Sequence, residues 1–237
     1  MTKKQLKICE LLKKKNLIAI TGIGSVPGVG NIMLRYASKK FDIISDIEVG
    51  FSWDSNIKKF VVPFSIESIS EEFITPAPIV ERKHFIKKTP LDSIIEDHHR
   101  AIGFQKEFFV RHPETYTFYK YFKDKGLKNV RFYAGFPEHS FRAILSMIEL
   151  GLTSKKEIKF GDIKIKPINF LTEVLKKIKM PPGYKETENL WVRIKGKKNG
   201  NKKEILMECI VPTLKGWEDA GCNIDTGMPA SILAQMI

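Results

Sequence analysis

Cysteine is scarce in this chain: Cys9, Cys209 and Cys222 are odd in number, widely spaced and joined by no metal-ligand spacing. That scarcity excludes a disulfide framework and suits a reducing compartment, so the expected location is the cytoplasm. No run of eighteen or more uncharged apolar residues occurs, which excludes a transmembrane helix. The N-terminal MTKKQLKICELLKKK lacks the apolar stretch of a signal peptide, and its Leu6, Ile8, Leu11 and Leu12 follow the rhythm of an amphipathic helix. Internal repeats and low-complexity linkers are also missing; KMPPGYKE at 179–186 is a stiff loop, too short to divide domains. Acid is in short supply, with 27 Asp and Glu against 40 Lys and Arg, a net charge of +13. Such a balance invites a nucleic-acid reading. The lysines, however, are dispersed, and their densest run, Lys195–Lys203, reads as a turn between two strands. A basic nucleic-acid binder therefore stays a secondary alternative, and an anionic small molecule or a negatively charged partner suits the charge equally well.

What is present is a core. Apolar residues make up 43% of the chain and aromatics 11%, enough to exclude global disorder. Between Asp46 and Asp54, Ile47, Val49, Phe51 and Trp53 face one way, and Asp46, Glu48, Gly50 and Ser52 face the other. Val130–Phe136 and Leu190–Lys195 alternate similarly, Gln105–Arg111 and Glu204–Val211 add strands, and the Asn-Gly of KGKKNGN reads as a hairpin tip. Alternation of this kind marks strands with one buried and one wetter face, as in largely antiparallel sheets. Helical stripes occupy Asn31–Phe41, Phe141–Leu150 and Ile168–Ile178. Strict βαβ alternation is missing, so the expected fold is α+β: an open, mixed or mostly antiparallel sheet with helices on one face.

The stretch ITGIGSVPGVGNIMLRYASKK, at 20–40, imitates a dinucleotide-binding loop. LIAIT supplies a strand, and Gly22 and Gly24 fill the first two glycine positions, but Pro27 stands in the third. The candidate ribose acids, Asp46 and Glu48, lie on the polar face at the beginning of a strand. Two of three requirements fail, so this is not the primary cofactor loop.

The same stretch, in GSVPGVGNIMLRYA, is similar to the P-G-x-x-N loop and helix by which saccharopine dehydrogenase family chains enter their second domain. Further likenesses follow in order: DIEVGFSW resembles that domain's first strand, and VVPFSIESISEEFITPAPIVERKHF its proline-punctuated helix and strand. VRHPETYTFYKYF resembles the H-x-E region, NVRFYAGFPEHSFRAILSMIELGL a strand and amphipathic helix, and DTGMPASILAQMI the T-G-x-P helix. The resemblance covers Leu17 to the C-terminus. It implies a fold like the C-terminal domains of saccharopine reductase and glyceraldehyde-3-phosphate dehydrogenase, with residues 1–16 a helix remnant of, or contact to, a nucleotide-binding half. It further implies a substrate-binding and dimerisation domain of an NAD(P)-dependent oxidoreductase acting on an amino-acid derivative. NAD or NADP would be used only together with a Rossmann half, as a missing domain or a separate subunit, and a homodimer would form through the uncovered sheet face. Two departures stand out: nothing before Leu17 resembles a Rossmann half, and Val26 occupies a position where several members carry aspartate. The apolar ILAQMI end adds to the expectation of a split subunit or an excised domain.

On this reading His112 and Glu114 are the candidate catalytic pair, since a histidine beside a carboxylate moves protons near neutral pH. Gly28, Asn31, Arg111 and Thr115 are candidate substrate contacts: Gly28–Asn31 as a helix start with free N–H groups, Arg111 as a carboxylate clamp. Pro27, Asp225, Thr226 and Gly227 are candidate cofactor contacts. Ordinary helix capping is the plainer alternative for each group, with Pro229 in the first turn of the last helix. No metal is expected. Adjacent His98 and His99 cannot share one ion, Glu71–Glu72 and Glu138–His139 read as solvated helix ends, and Phe118, Tyr119 and Phe122 as core. A non-catalytic assembly module of the same fold is the first functional alternative.

Overall fold

The computed structural model describes residues 8–62 and 64–237. Of the N-terminal helix expected from its apolar rhythm, Leu6 lies outside the described residues, and the remainder is α1 (Cys9–Lys14), which buries no residue. The chain continues through α2 (Val29–Ser38), β1 (Ile43–Ser55), α3 (Ile66–Ile74), β2 (Ala77–Glu81) and β3 (His84–Lys88). Next come β4 (Ile95–His99), β5 (Gly103–Phe109), α4 (Pro113–Phe122), β6 (Asn129–Phe136) and α5 (Glu138–Glu149). A small hairpin, β7 (Ile158–Phe160) with β8 (Ile163–Ile165), precedes α6 (Pro167–Leu175), β9 (Glu186–Lys198), β10 (Asn201–Pro212) and α7 (Ile224–Met236).

The main sheet runs β10-β9-β1-β6 and then forks. β2 meets the start of β6 at Val130 and carries β3, whereas β5 pairs with Tyr133 to Phe136 and carries β4. Only β1 and β6 pair in parallel among the described strands, so the sheet is mixed and mostly antiparallel, as its alternating sequences imply. Register puts like with like: Ile47, Val49 and Phe51 of β1 stand opposite Ile194, Val192 and Leu190 of β9, and opposite Val130, Phe132 and Ala134 of β6. This apolar face packs against Met33, Leu34 and Ala37 of α2, Ile69 and Phe73 of α3, Phe118 of α4, and Phe141 and Ile144 of α5. Burying each such side chain contributes about 1.5–3 kcal/mol, which fixes the sheet's inward parity.

The other face departs from the expectation of a wetter surface. Ser52, Glu107 and Asn189 are fully buried there, and Trp191 and His99 nearly so, because the β4–β5 hairpin curls across it. Glu107 Oε1 accepts from Ser52 Oγ, His99 Nε2 (2.7 Å) and Trp191 Nε1 (3.2 Å). Gly50 makes room for this layer: a Cβ there would lie 2.6 Å from the Tyr133 carbonyl oxygen and 2.9 Å from the Trp191 ring.

Several boundaries differ from the sequence reading. LIAIT forms no strand; residues 17–21 run irregularly, although their short apolar run reads as one. β9 extends through Lys198, so only Asn199 and Gly200, both at positive φ, make the turn in the basic run. The last helix begins at Ile224, which puts Pro229 inside it rather than in its first turn.

Candidate active site

Six segments that are distant in sequence converge at one end of the sheet. β1 and β9 end there with Trp53 opposite Glu188 and Ser55 opposite Glu186, so both acids continue the inward-facing stripe of Leu190, Val192 and Ile194. The loop 24–28 closes one side and is tied to α7 by Ser25 Oγ and Thr226 Oγ1 at 3.2 Å. His112 reaches the same space as the N-cap of α4, and Glu72 enters from α3. The resulting cleft holds about 310 Å³, with Phe51, Trp53 and Phe64 as aromatic walls.

His112 stacks on Phe132, with ring centres 3.9 Å apart, and its Nδ1 bonds Glu114 Oε2 at 2.5 Å. Glu114 is fully buried, so the carboxylate sits behind the imidazole and Nε2 is the nitrogen it leaves unengaged. Four further carboxyls line the cleft. Glu186 accepts from Tyr184 Oη (2.8 Å) and the Cys222 amide (3.0 Å). Asp225 Oδ1 accepts from Thr226 Oγ1 at 3.1 Å, and its carboxyl faces that of Glu188. Desolvation, then the neighbouring Asp225, raises Glu188 well above the ordinary carboxylate range. Desolvation likewise pushes Asp225 up to about 6 and Glu72 up to about 8. Burial and these acids also push the Cys222 thiol up, which makes it an inert thiol.

Around this cleft the sequence candidates separate. His112, Asp225 and Thr226 line it, with Glu114 immediately behind. Pro27 and Asn31 line a second cavity of about 490 Å³ on the other side of the loop, between α2 and α4, with Arg35, Lys120 and Lys125. Arg111 is exposed and outside the cleft lining, and acts on Glu71; Thr115 is buried, and Gly227 is exposed on α7. The free N–H groups expected at Gly28–Asn31 are taken. Val29 N donates to Gly24 O (2.9 Å), Gly30 N to Ser25 O (3.1 Å), Asn31 N to Gly28 O (3.0 Å), and Gly28 N to Asn31 Oδ1 (3.2 Å). The backbone amides of Gly28–Asn31 are therefore not available to a pyrophosphate.

Glu72, Glu186 and Glu188 were missed by sequence reasoning. Glu72 is not the solvated helix end expected; its Oε2 is buried without a donor. His139 also departs from that expectation, with Nε2 buried and its pKa lowered by desolvation. The signal for the other two was available: stepping back by twos from Leu190 lands on Glu188 and Glu186, acids on an apolar parity. Away from the cleft, His98 is exposed and His99 buried, and Asp97, His99 and Glu107 bring ligand-type atoms within 4.8 Å of one another. Asp97 is already held there by Arg193 at 2.8 Å.

The family model described as the Saccharopine dehydrogenase C-terminal domain matches residues 16–237. The chain is similar to carboxyaminopropylagmatine dehydrogenase of Synechocystis sp., at 26% identity over 194 residues, covering 81% of this chain and 48% of that protein. It thus spans about half the length of the curated relative it matches. Its fold is similar to that of apo histidine-tagged saccharopine dehydrogenase (L-Glu forming) from Saccharomyces cerevisiae, with a TM-score of 0.76 at 7% identity, over 99% of this chain and 68% of that one.

Proposed function

The chain belongs to the saccharopine dehydrogenase C-terminal domain family, and from that premise we propose that it is the substrate-binding and dimerisation domain of an NAD(P)-dependent oxidoreductase. The reaction is oxidation of a C–N bond in an amino-acid derivative, or reduction of the corresponding imine. Residues 17–237 form the domain, and residues 1–16 are a remnant of, or a contact to, a nucleotide-binding half. The observation that carries the reading is the convergence of the 24–28 loop, the His112–Glu114 pair and the first turn of α7 on one cleft. The Synechocystis relative is, by its name, a dehydrogenase of carboxyaminopropylagmatine, which supports a secondary amine joining an amino-acid part to an amine part.

NAD or NADP supplies hydride transfer, held by the other half. Within this chain, His112 moves the proton at the substrate nitrogen through Nε2, and Glu114 positions the imidazole by holding Nδ1. Asp225 and Thr226 would contact the cofactor once the other half is bound; Gly28 and Asn31 shape the loop instead of binding anions. The seat of the nucleotide-binding half is the apolar face beside the cleft. There Ile18, Ile20 and Ile23 meet Leu233 and Ile237, while Met228, Ile232 and Met236 of α7 are exposed. A helix that exposes three large apolar side chains beside an apolar groove is built to be covered.

The second partner is another copy of the chain, joined through the sheet face that carries the exposed Leu206. Light scattering that returns a clean monomer removes the dimer. The function is tested by mixing the chain with a nucleotide-binding half and following NADPH oxidation with imine-forming amine and carbonyl pairs. Turnover that depends on both polypeptides supports the reading, and its absence in a folded, assembled pair leaves the assembly-module alternative.

A further inference from the structure

We infer that the cleft is a receptor for an organic cation, the ammonium or guanidinium end of a substrate arm, held by Glu72, Glu188 and Asp225 against Phe51 and Trp53. The inference rests on the oxidoreductase reading only for calling the ligand a substrate; the site itself is argued from its own chemistry. Lys and Arg outnumber Asp and Glu by 40 to 27 along the chain. The cleft inverts that ratio, with Glu72, Glu186, Glu188 and Asp225 in its wall and no lysine or arginine among the described residues. A carboxylate ligand would meet repulsion from every ionised group it faced.

The bare carboxyl oxygens point the same way, although Trp53 Nε1 is a buried donor of the wall without an acceptor. Asp225 is more than nine-tenths buried, and its Oδ2 has no N–H or hydroxyl donor among the described residues; Glu72 Oε2 is equally bare. Buried acceptors without donors are costly, and an ammonium brings three donors or a guanidinium five, with no competing acceptor. The aromatic walls add cation–π attraction. A metal ion fits less well. Among the described residues, the one trio whose ligand atoms converge within 4.8 Å is Asp97, His99 and Glu107, away from this cleft. A space of about 310 Å³ instead admits an arm of several atoms.

The test is titration of the purified full chain with 1,4-diaminobutane and with agmatine, following the Trp53 indole N–H by NMR, against succinate and 1,4-butanediol as anionic and neutral counterparts. Both cations are expected to bind at least about tenfold more tightly than either counterpart. Glu188→Gln and Asp225→Asn, nearly isosteric, are each expected to weaken the cations by about tenfold or more with the fold intact. Equal binding of succinate or butanediol, no cation binding by the folded chain, or cation binding indifferent to both substitutions overturns the proposal. Because the readout needs neither NAD(P)H nor a second polypeptide, failure here leaves the oxidoreductase reading standing. Conversely, cation binding that survives alongside absent turnover overturns that reading alone.

Discussion

Glu72 makes the cleft's unpaired charge measurable as stability. Its carboxyl titrates near 8 in the folded chain because burial disfavours the anion, against the ordinary 4.5 when unfolded. Between these pH values the folded state keeps a proton that the unfolded state has released. Stability therefore falls as pH rises from about 4.5 to about 8 and levels off above it. At 1.36 kcal/mol per pH unit the loss is at most about 5 kcal/mol, and solvent reaching the partly exposed residue trims it to about 2–4 kcal/mol. Glu72→Gln keeps the shape and abolishes the titration. Urea unfolding followed by circular dichroism is expected to give matching stabilities for the two proteins within about 1 kcal/mol at pH 5. At pH 8.5 the variant should be ahead by a midpoint difference of about 1–2 M. Asp225 and Glu188, also raised, act in the same direction, and His139, lowered, acts oppositely at acid pH; all three cancel in the difference between proteins. A difference independent of pH would refute the reasoning. Saturating diaminobutane should narrow the gap at pH 8.5, since a bound cation stabilises the ionised Glu72.

In the reconstituted enzyme, His112→Gln is expected to lower kcat by about 100-fold or more with little change in KM, and to remove one limb of the pH–rate profile; an unchanged profile would exclude His112 as the proton carrier. Gly28→Ala should cost at least about 2 kcal/mol in chemical unfolding, because φ is +142° and a Cβ would sit 2.0 Å from the Gly24 carbonyl oxygen; a neutral substitution would mean that the loop is shaped otherwise. The chain alone should fail to saturate with NADPH at low micromolar concentration, read by nicotinamide fluorescence. The first-turn amides of α2 are already bonded, and a micromolar complex needs about 8 kcal/mol.

The fold was legible wherever parity was clean. Ile47, Val49, Phe51 and Trp53 announced both β1 and its inward face; the stripes announced the helices α2, α5 and α6, but Ile32, Tyr36 and Val174 in them are exposed, and Leu34 and Ile168 take the inward places. The site was legible only in pieces. His112, Asp225 and the Pro27–Gly28 loop each carry a local signature, but their meeting depends on the β1–β9 register and on the turn that returns α7 to the loop. Local pattern also misled. LIAIT is a short apolar run like a buried strand, yet it forms none, and Ile18 and Ile20 lie beside α7. The N–H groups at Gly28–Asn31 looked available because a sequence does not show that the backbone folds back to use them.

Two buried polar clusters built from the same residue types have opposite meanings, and the difference lies in their openness to a ligand. On the sheet face covered by the β4–β5 hairpin, Glu107 Oε1 takes three donors, Asn189 Nδ2 bonds Glu208 Oε1 at 2.7 Å, and Arg193 holds Asp97. That network is nearly closed, with Glu107 Oε2 and Asn189 Oδ1 among the few atoms left without a partner, and it holds the β4–β5 hairpin across the sheet. In the cleft Glu72 Oε2 and Asp225 Oδ2 are likewise bare, and what differs is that their surroundings are open to a ligand. Acids face acids, aromatic carbon lines the walls, and the carboxyls hold protons at pH values where exposed ones would have released them. A closed network gains nothing from a ligand, because each new bond displaces one already made. An acceptor-rich cleft gains a partner for each bare oxygen and recovers the free energy spent on keeping its acids neutral. Charge count alone, at +13, points toward anions; the distribution of donors puts the cation at the chemistry.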